Sequence, residues 1–202
     1  MRKPQQRSIE TKSKILKVAR KQVASKGYEG LRTEEIVLEA GVAKGTLFAH
    51  FGDKDQLLLV LMGEELEQAI AILIALLEKE NFAVDDFLEA CTPLLRLLSR
   101  ERAIFNLFQF YVGVTSENVS EEIGEDCNEL QDLYKSIVQL LQDRQIIRGD
   151  IAADILAEGC LAFLVQAVTF KLCGLYQSNE VAEEEFGKKL LIWLSAPSDA
   201  KK

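Results

Sequence analysis

Two short runs, "TEEIVLEA" at 33–40 and "VAKGTLFAH" at 42–50, flank a single glycine, Gly41. Both have helical spacing, yet neither is long enough to stand alone, since isolated helices in water need about 12 residues or more. They must be held by neighbours. Gly41 can adopt the left-handed backbone that stops the first run. Glu34 and Glu35 sit favourably near that helix's positive N-terminus, and Ile36, Val37 and Ala40 form its inner side. Val42 and Leu47 point back onto Ile36 and Ala40, leaving Lys44, Gly45, Thr46, Phe48, Ala49 and His50 for other faces. Two short helices about a tight glycine turn are the sequence form of a helix-turn-helix, whose second helix enters a major groove.

The flanking sequence supplies the holders. From Ser8 to Lys26, Ile15, Ala19 and Val23 recur at four-residue spacing with Leu16 alongside, so an amphipathic helix is expected, capped by Ser8 and ended by Gly27. Asp53 caps a long helix from Lys54 to about Glu78 that is apolar nearly all round in its second half. Helical periodicity returns at 84–98, with Pro93 inside, and at 101–113. The polar stretch 114–126 reads as a connection or a frayed helix start, followed by a helix over about 127–145. "IIRGD" is a turn with Gly149 as the stop and Asp150 as the next cap, and apolar helices are expected over about 151–176 and 181–194. The expected fold is all-α with about nine helices. A three-helix helix-turn-helix domain at 8–53 (recognition helix about 43–50) joins a C-terminal helical bundle at 54–195, between flexible tails at 1–7 and 196–202.

Charge divides along the same line. Residues 1–54 hold 12 Lys and Arg against 6 Asp and Glu, whereas the whole chain has a net charge of −8. A basic head on an acidic body fits one face for a polyanion while the rest repels it. A solvated lysine-rich helix has the same signature. No uninterrupted apolar run reaches the roughly 18 residues of a membrane span, and the basic start lacks the apolar stretch of a secretion signal, so no membrane partner and a cytoplasmic location are expected. Cys91, Cys127, Cys160 and Cys173 have no CxxC spacing, and there is one histidine, so the cysteines read as small buried hydrophobes and no metal or other cofactor is expected. With no nucleophile–base pair and no phosphate loop, an enzyme is excluded.

Residues 9–58, through "KILKVARKQVASKGYEG", "EEIVLEAGV", "KGTLFAHF" and "DKDQLL", resemble the DNA-binding domain of the TetR family of transcriptional regulators in order and spacing. The resemblance implies a repressor that binds a palindromic double-stranded operator as a homodimer and is released by a small molecule in the C-terminal domain. Carried over by position, Lys44, Gly45 and Thr46 face base edges or phosphates, Phe48 lies beside the backbone, and His50 closes the recognition helix. Lys54 contacts a phosphate, and Arg32 and Thr33 approach the backbone from the helix before. The chain departs from the family pattern at Ala43, Phe48 and Ala49, which remove polar anchors, and at Arg32, where the usual cap is missing.

Ala153, Ala157, Gly159, Ala162 and Ala167 among bulky residues suit close helix approach, so the last two helices are expected to build the dimer. Burial within one chain has the same pattern. An effector cavity needs aromatic walls and a few polar groups. The candidates are Phe87, Phe105, Asn106, Phe108, Gln109, Tyr111, Phe163, Gln166 and Phe170, and their character points to an apolar or aromatic effector. The other reading is a DNA-bound interaction protein whose C-terminal domain takes a partner protein and no small effector.

Overall fold

The computed structural model describes residues 4–111 and 121–196. Among the described residues there are nine helices and no strand: α1 Pro4–Lys26, α2 Thr33–Ala40, α3 Lys44–Phe51, α4 Lys54–Leu77, α5 Val84–Ser99, α6 Arg102–Tyr111, α7 Glu121–Asp143, α8 Ala153–Leu172 and α9 Asn179–Leu194. The all-α expectation is met. The chain divides into two compact units, Met1–Glu64 and Glu65–Lys202, so that α4 contributes Lys54–Glu64 to the first and the rest of its length to the second.

In the first unit the apolar stripe of α1 is buried at Ile15, Leu16 and Ala19, and meets Tyr28, Leu31, Ile36, Leu47, Leu57 and Met62 in one core. Gln22 is buried on α1 as well, at 4% exposure, although apolar spacing gave no sign of it. The helix begins at Pro4, so Ser8 lies inside it and not at its cap. Proline has its φ pre-set for a first helical turn and gives up no needed N–H there. Gly27, at φ 73°, ends α1 as expected. Asp53 caps α4 through Oδ1, which accepts from the Gln56 amide at 2.8 Å.

In the second unit α8 packs between α7 and α9, and α5 lies against both α8 and α9. Phe87, Leu94, Leu98, Tyr134, Ile137, Leu156, Leu164 and Leu190 fill its core. The close approach of α8 and α9 is made at Gly159: a Cβ there would fall 2.3 Å from Nε1 of Trp193, whose indole donates to the Leu156 carbonyl at 2.9 Å. Two local expectations change. After α7 the left-handed residue is Gln145, at φ 58°, and not Gly149. Asp150 does not cap α8; it takes both guanidinium arms of Arg148, at 2.8 and 2.7 Å, and the N-cap position falls to Ala152.

By length and mean composition helix α8 is apolar enough to cross a membrane, although no apolar run through it is uninterrupted. Its acidic and basic residues, Asp154, Glu158 and Lys171, break any pure run without lowering the mean far. Here Leu156, Cys160, Leu164, Ala167 and Val168 are buried in the protein. Of the cysteines, Cys91 and Cys160 are buried but Cys173 is exposed, which corrects the expectation for that residue. The side chain of Cys127 and most of the polar stretch 114–126 lie outside the described residues.

Candidate nucleic-acid interface

Helix α2 starts from an extended Arg32, whose side chain makes no cap. Its guanidinium turns back instead to the carbonyls of Glu29 and Leu31, at 3.0 and 3.3 Å. Gly41 takes φ 65° and ψ 40°, and the Gly41 and Val42 amides close the helix onto the carbonyls of Leu38 and Val37. The chain reverses there and α3 begins at Lys44, behind an Ala43 that caps nothing. Only Leu47 and Phe51 of α3 are buried, against Ile36 and the rest of the small core. One helix face is thus pinned and the other is free.

Lys44, Gly45 and Ala49 are exposed, and Thr46, Phe48, His50 and Lys54 are half-buried. Arg32 is exposed and Thr33 is buried, with its hydroxyl 3.2 Å from Oε2 of Glu34. A Cβ at Gly45 would meet nothing within 4 Å. The ring of His50 lies 6.3 Å from that of Phe51. All the residues read as DNA-facing therefore belong to α2 and its N-cap position, α3 and the start of α4 within one unit, with Thr33 the most enclosed of them.

Sequence reasoning missed how the positive head is wired. Each glutamate of α2 holds a lysine: Glu35 takes Lys26, Glu39 takes Lys21, and Glu34 takes Lys44 with Nζ 2.6 Å from Oε1. The Lys44 ammonium also lies 5.9 Å from the Phe48 ring centroid. Its hydrogen bond, helped by the backbone amide of Glu34, holds the Glu34 carboxyl down at about 2. Lys21 lowers Glu39 in the same way. On the other side of α1, Arg20 grips Glu64 through two hydrogen bonds of 2.8 and 2.5 Å, which raises the arginine further. Opposite charges in the first turns of two helices that share a tight turn were the available signal for Glu34 and Lys44.

The residues proposed for an effector pocket fall into separate places. Phe87 is fully buried, edge-on to Tyr134 at 5.5 Å. Phe163 lies edge-on to Trp193 at 6.0 Å, and Phe170 to Tyr176 at 5.4 Å, with Lys189 Nζ 5.7 Å from the Phe170 ring. Phe108 is buried, Gln109 half-buried, and the side chain of Tyr111 lies outside the described residues. Oε1 of Gln166 is buried without a hydrogen-bond partner. Phe105 and Asn106 do share a cleft of about 190 Å³, with Arg102, Thr169, Leu172 and Cys173. Among the described residues no group of three or more metal-ligating side chains converges. Burial pushes the Cys91 thiol up to about 12, so it stays protonated 3.4 Å from the Tyr134 hydroxyl.

Residues 15–61 match the family model of bacterial regulatory proteins, tetR family. The HTH-type transcriptional repressor AcnR of Corynebacterium efficiens is 37% identical over 57 residues, which are 28% of this chain and 30% of that protein. The likeness to that curated relative thus spans under a third of its length. Among solved structures, a putative TetR-family transcriptional regulator from Mesorhizobium loti matches with a TM-score of 0.60 at 20% identity, covering 93% of this chain and 96% of the other. The transcriptional regulator FadR of Bacillus subtilis, solved in complex with stearoyl-CoA, matches with a TM-score of 0.63 at 17% identity, covering 91% and 97%. These two show a shared fold over nearly the whole length. The similarity to the tetR family of bacterial regulatory proteins therefore lies within residues 15–61, the segment that holds α2 and α3.

Proposed function

We propose that the protein is a DNA-binding transcriptional regulator, a repressor that binds a palindromic operator as a homodimer and is released by a small molecule. The observation that carries this reading is α3 itself. Its buried residues are Leu47 and Phe51, and it leaves Lys44 and Gly45 exposed and Thr46 half-buried in a basic unit. Gly45 adds to it, since the folded chain leaves open space over that residue and a close-approaching groove would use it. The setting is the cytoplasm, where the operator is, and the role is regulatory and not enzymatic.

Dimerisation through α8 and α9 is supported by their unpartnered apolar surface. Ile155, Ala162 and Val165 line one exposed stripe of α8, and Leu191 and Ile192 are exposed on α9, Ile192 at 76%. The fold shared with a FadR that holds stearoyl-CoA supports an effector with an acyl chain, in keeping with the aromatic residues of α5 and α6. A second reading, a DNA-bound protein that recruits a partner protein, draws support from the dispersal of Phe87, Phe163 and Phe170 into three separate clusters.

Fluorescence anisotropy with a duplex from upstream of the protein's own gene tests the DNA reading. Specific, salt-sensitive binding that Lys44→Ala weakens is expected; equal affinity for a scrambled duplex would sink it. Acyl-CoA added to the complex separates the two readings of the C-terminal unit, since only an effector-releasing repressor loses its DNA.

A further inference from the structure

We propose that Glu34 is a specificity-determining residue: it holds the Lys44 ammonium on the recognition helix and yields it only to a groove edge that also suits its own carboxylate. The inference rests on the DNA-binding reading above. Glu34 stands in the first turn of α2 and Lys44 is the first residue of α3, and the tight turn at Gly41 brings Oε1 and Nζ to 2.6 Å. The second carboxylate oxygen accepts from the Thr33 hydroxyl at 3.2 Å. Both oxygens are therefore engaged, and the ammonium is drawn toward α2 with Phe48 beneath it.

Stability does not account for the pair. The side chains are 55% and 65% exposed, and ion pairs so open to water contribute little to folding. Nor does α3 itself favour a cation in its first turn, where the helix dipole is positive and where neither a side-chain cap nor an acidic residue offsets it. The other two glutamates of α2 tie it to α1 through Lys26 and Lys21; Glu34 alone reaches the recognition helix.

The consequence for DNA follows from charge. To put Lys44 on a phosphate, the protein must part it from Glu34 and leave a bare carboxylate beside a polyanion. A G·C pair in the major groove asks for something different: guanine O6 and N7 accept from a cation, and the cytosine amino group donates to a carboxylate. Lys44 and Glu34 together complement that edge, so the pair penalises non-specific backbone contact and favours a matched base pair.

Anisotropy titrations of full-length wild type, Glu34→Gln, Lys44→Ala and the double variant test this, with the upstream duplex and a scrambled one over a salt series. Glu34→Gln is expected to tighten the scrambled duplex by about tenfold and to steepen the log K against log salt slope by about 1, as one more lysine engages phosphate. The ratio of upstream to scrambled affinity should narrow. In the Lys44→Ala background the same change should have little effect. Tightening of equal size in that background would show simple repulsion by Glu34, and an unchanged slope would show that Lys44 was never withheld; either overturns the proposal. A wild-type preference for upstream DNA that survives Glu34→Gln overturns this inference alone. No wild-type preference overturns the DNA-binding reading and this one with it.

Discussion

Helices α3 and α8 solve different problems with similar means. Each begins behind an alanine, Ala43 or Ala152, that makes no side-chain cap, and each carries a glycine, Gly45 in the first turn of α3 and Gly159 within α8. In α8 the glycine is filled: the Trp193 indole occupies the place of a Cβ on Gly159 and hydrogen-bonds the Leu156 carbonyl. In α3 the glycine is empty, for a Cβ on Gly45 would meet nothing within 4 Å. Glycine costs a helix interior roughly 1 kcal/mol relative to alanine. In α8 that cost is offset by packing inside the chain, whereas over Gly45 the folded chain leaves open space. Under the proposed DNA-binding reading, the groove that approaches α3 uses that space. Anchoring differs in the same sense, since α8 buries seven residues between Ala153 and Val168, and α3 buries Leu47 and Phe51.

The contrast in anchoring predicts the largest effect. Leu47 is fully buried and is one of two residues that fix α3, so Leu47→Ala should cost about 3 kcal/mol in urea unfolding of the first unit. A loss under about 1 kcal/mol would mean that α3 is held by something other than its two buried side chains. Next comes Gly159→Ala, which should cost about 1–3 kcal/mol because the indole must shift from its place. The chain has one tryptophan, so its fluorescence reports the shift directly, as a red-moved emission from a more hydrated ring. Unchanged emission and unchanged stability would dissolve the difference between the two glycines.

The helix-turn-helix was legible because its constraints are local. Gly41 between two short helices, Gly27 after α1 and Asp53 before α4 each act within a few residues of themselves, and the structure uses all three as read. Where the reading slipped along the backbone, a competing local partner decided. Asp150 was a sound cap for α8 by type and position, but Arg148 is within reach and binds it at both oxygens. Gly149 was the natural residue for a left-handed turn, yet the turn comes at Gln145, where the amide bonds back to the Gln142 carbonyl at 2.8 Å. Ser8 lost its capping role because Pro4 starts the helix a turn earlier. The aromatic residues of the second unit show a different, longer-range limit. Periodicity says that Phe87, Phe163 and Phe170 face inward, but which ring each meets depends on helix packing that no short window contains.

Gly45→Ala separates fold from use. The variant should match or exceed the wild type in stability, by up to about 1 kcal/mol, since it removes a glycine from a helix without a clash. Under the DNA-binding reading it should nonetheless weaken operator binding, because a methyl group then stands where the groove comes close. Anisotropy beside a urea melt measures both. If Gly45→Ala binds the upstream duplex as the wild type does, the empty space over α3 has no external occupant and the comparison with Gly159 loses its point.

The smallest effect concerns protons, and it too differs between the two units. On α5 the Cys91 thiol is pushed up to about 12 by burial, whereas beside α3 the Glu34 carboxyl is held down at about 2 by the Lys44 hydrogen bond. A depressed carboxyl contributes to stability above its unfolded value, near 4.3, and that contribution is lost as pH falls through the folded one. The pair should thus remain intact through mild acid and part only as pH approaches about 2. A carboxyl-carbon NMR titration of Glu34 reads this without DNA. Lys44→Ala should return its midpoint toward about 4.3, the ordinary glutamate range. A wild-type midpoint already in that range would show that water, and not Lys44, is the carboxylate's main partner, and Glu34 would then not hold the recognition-helix cation back.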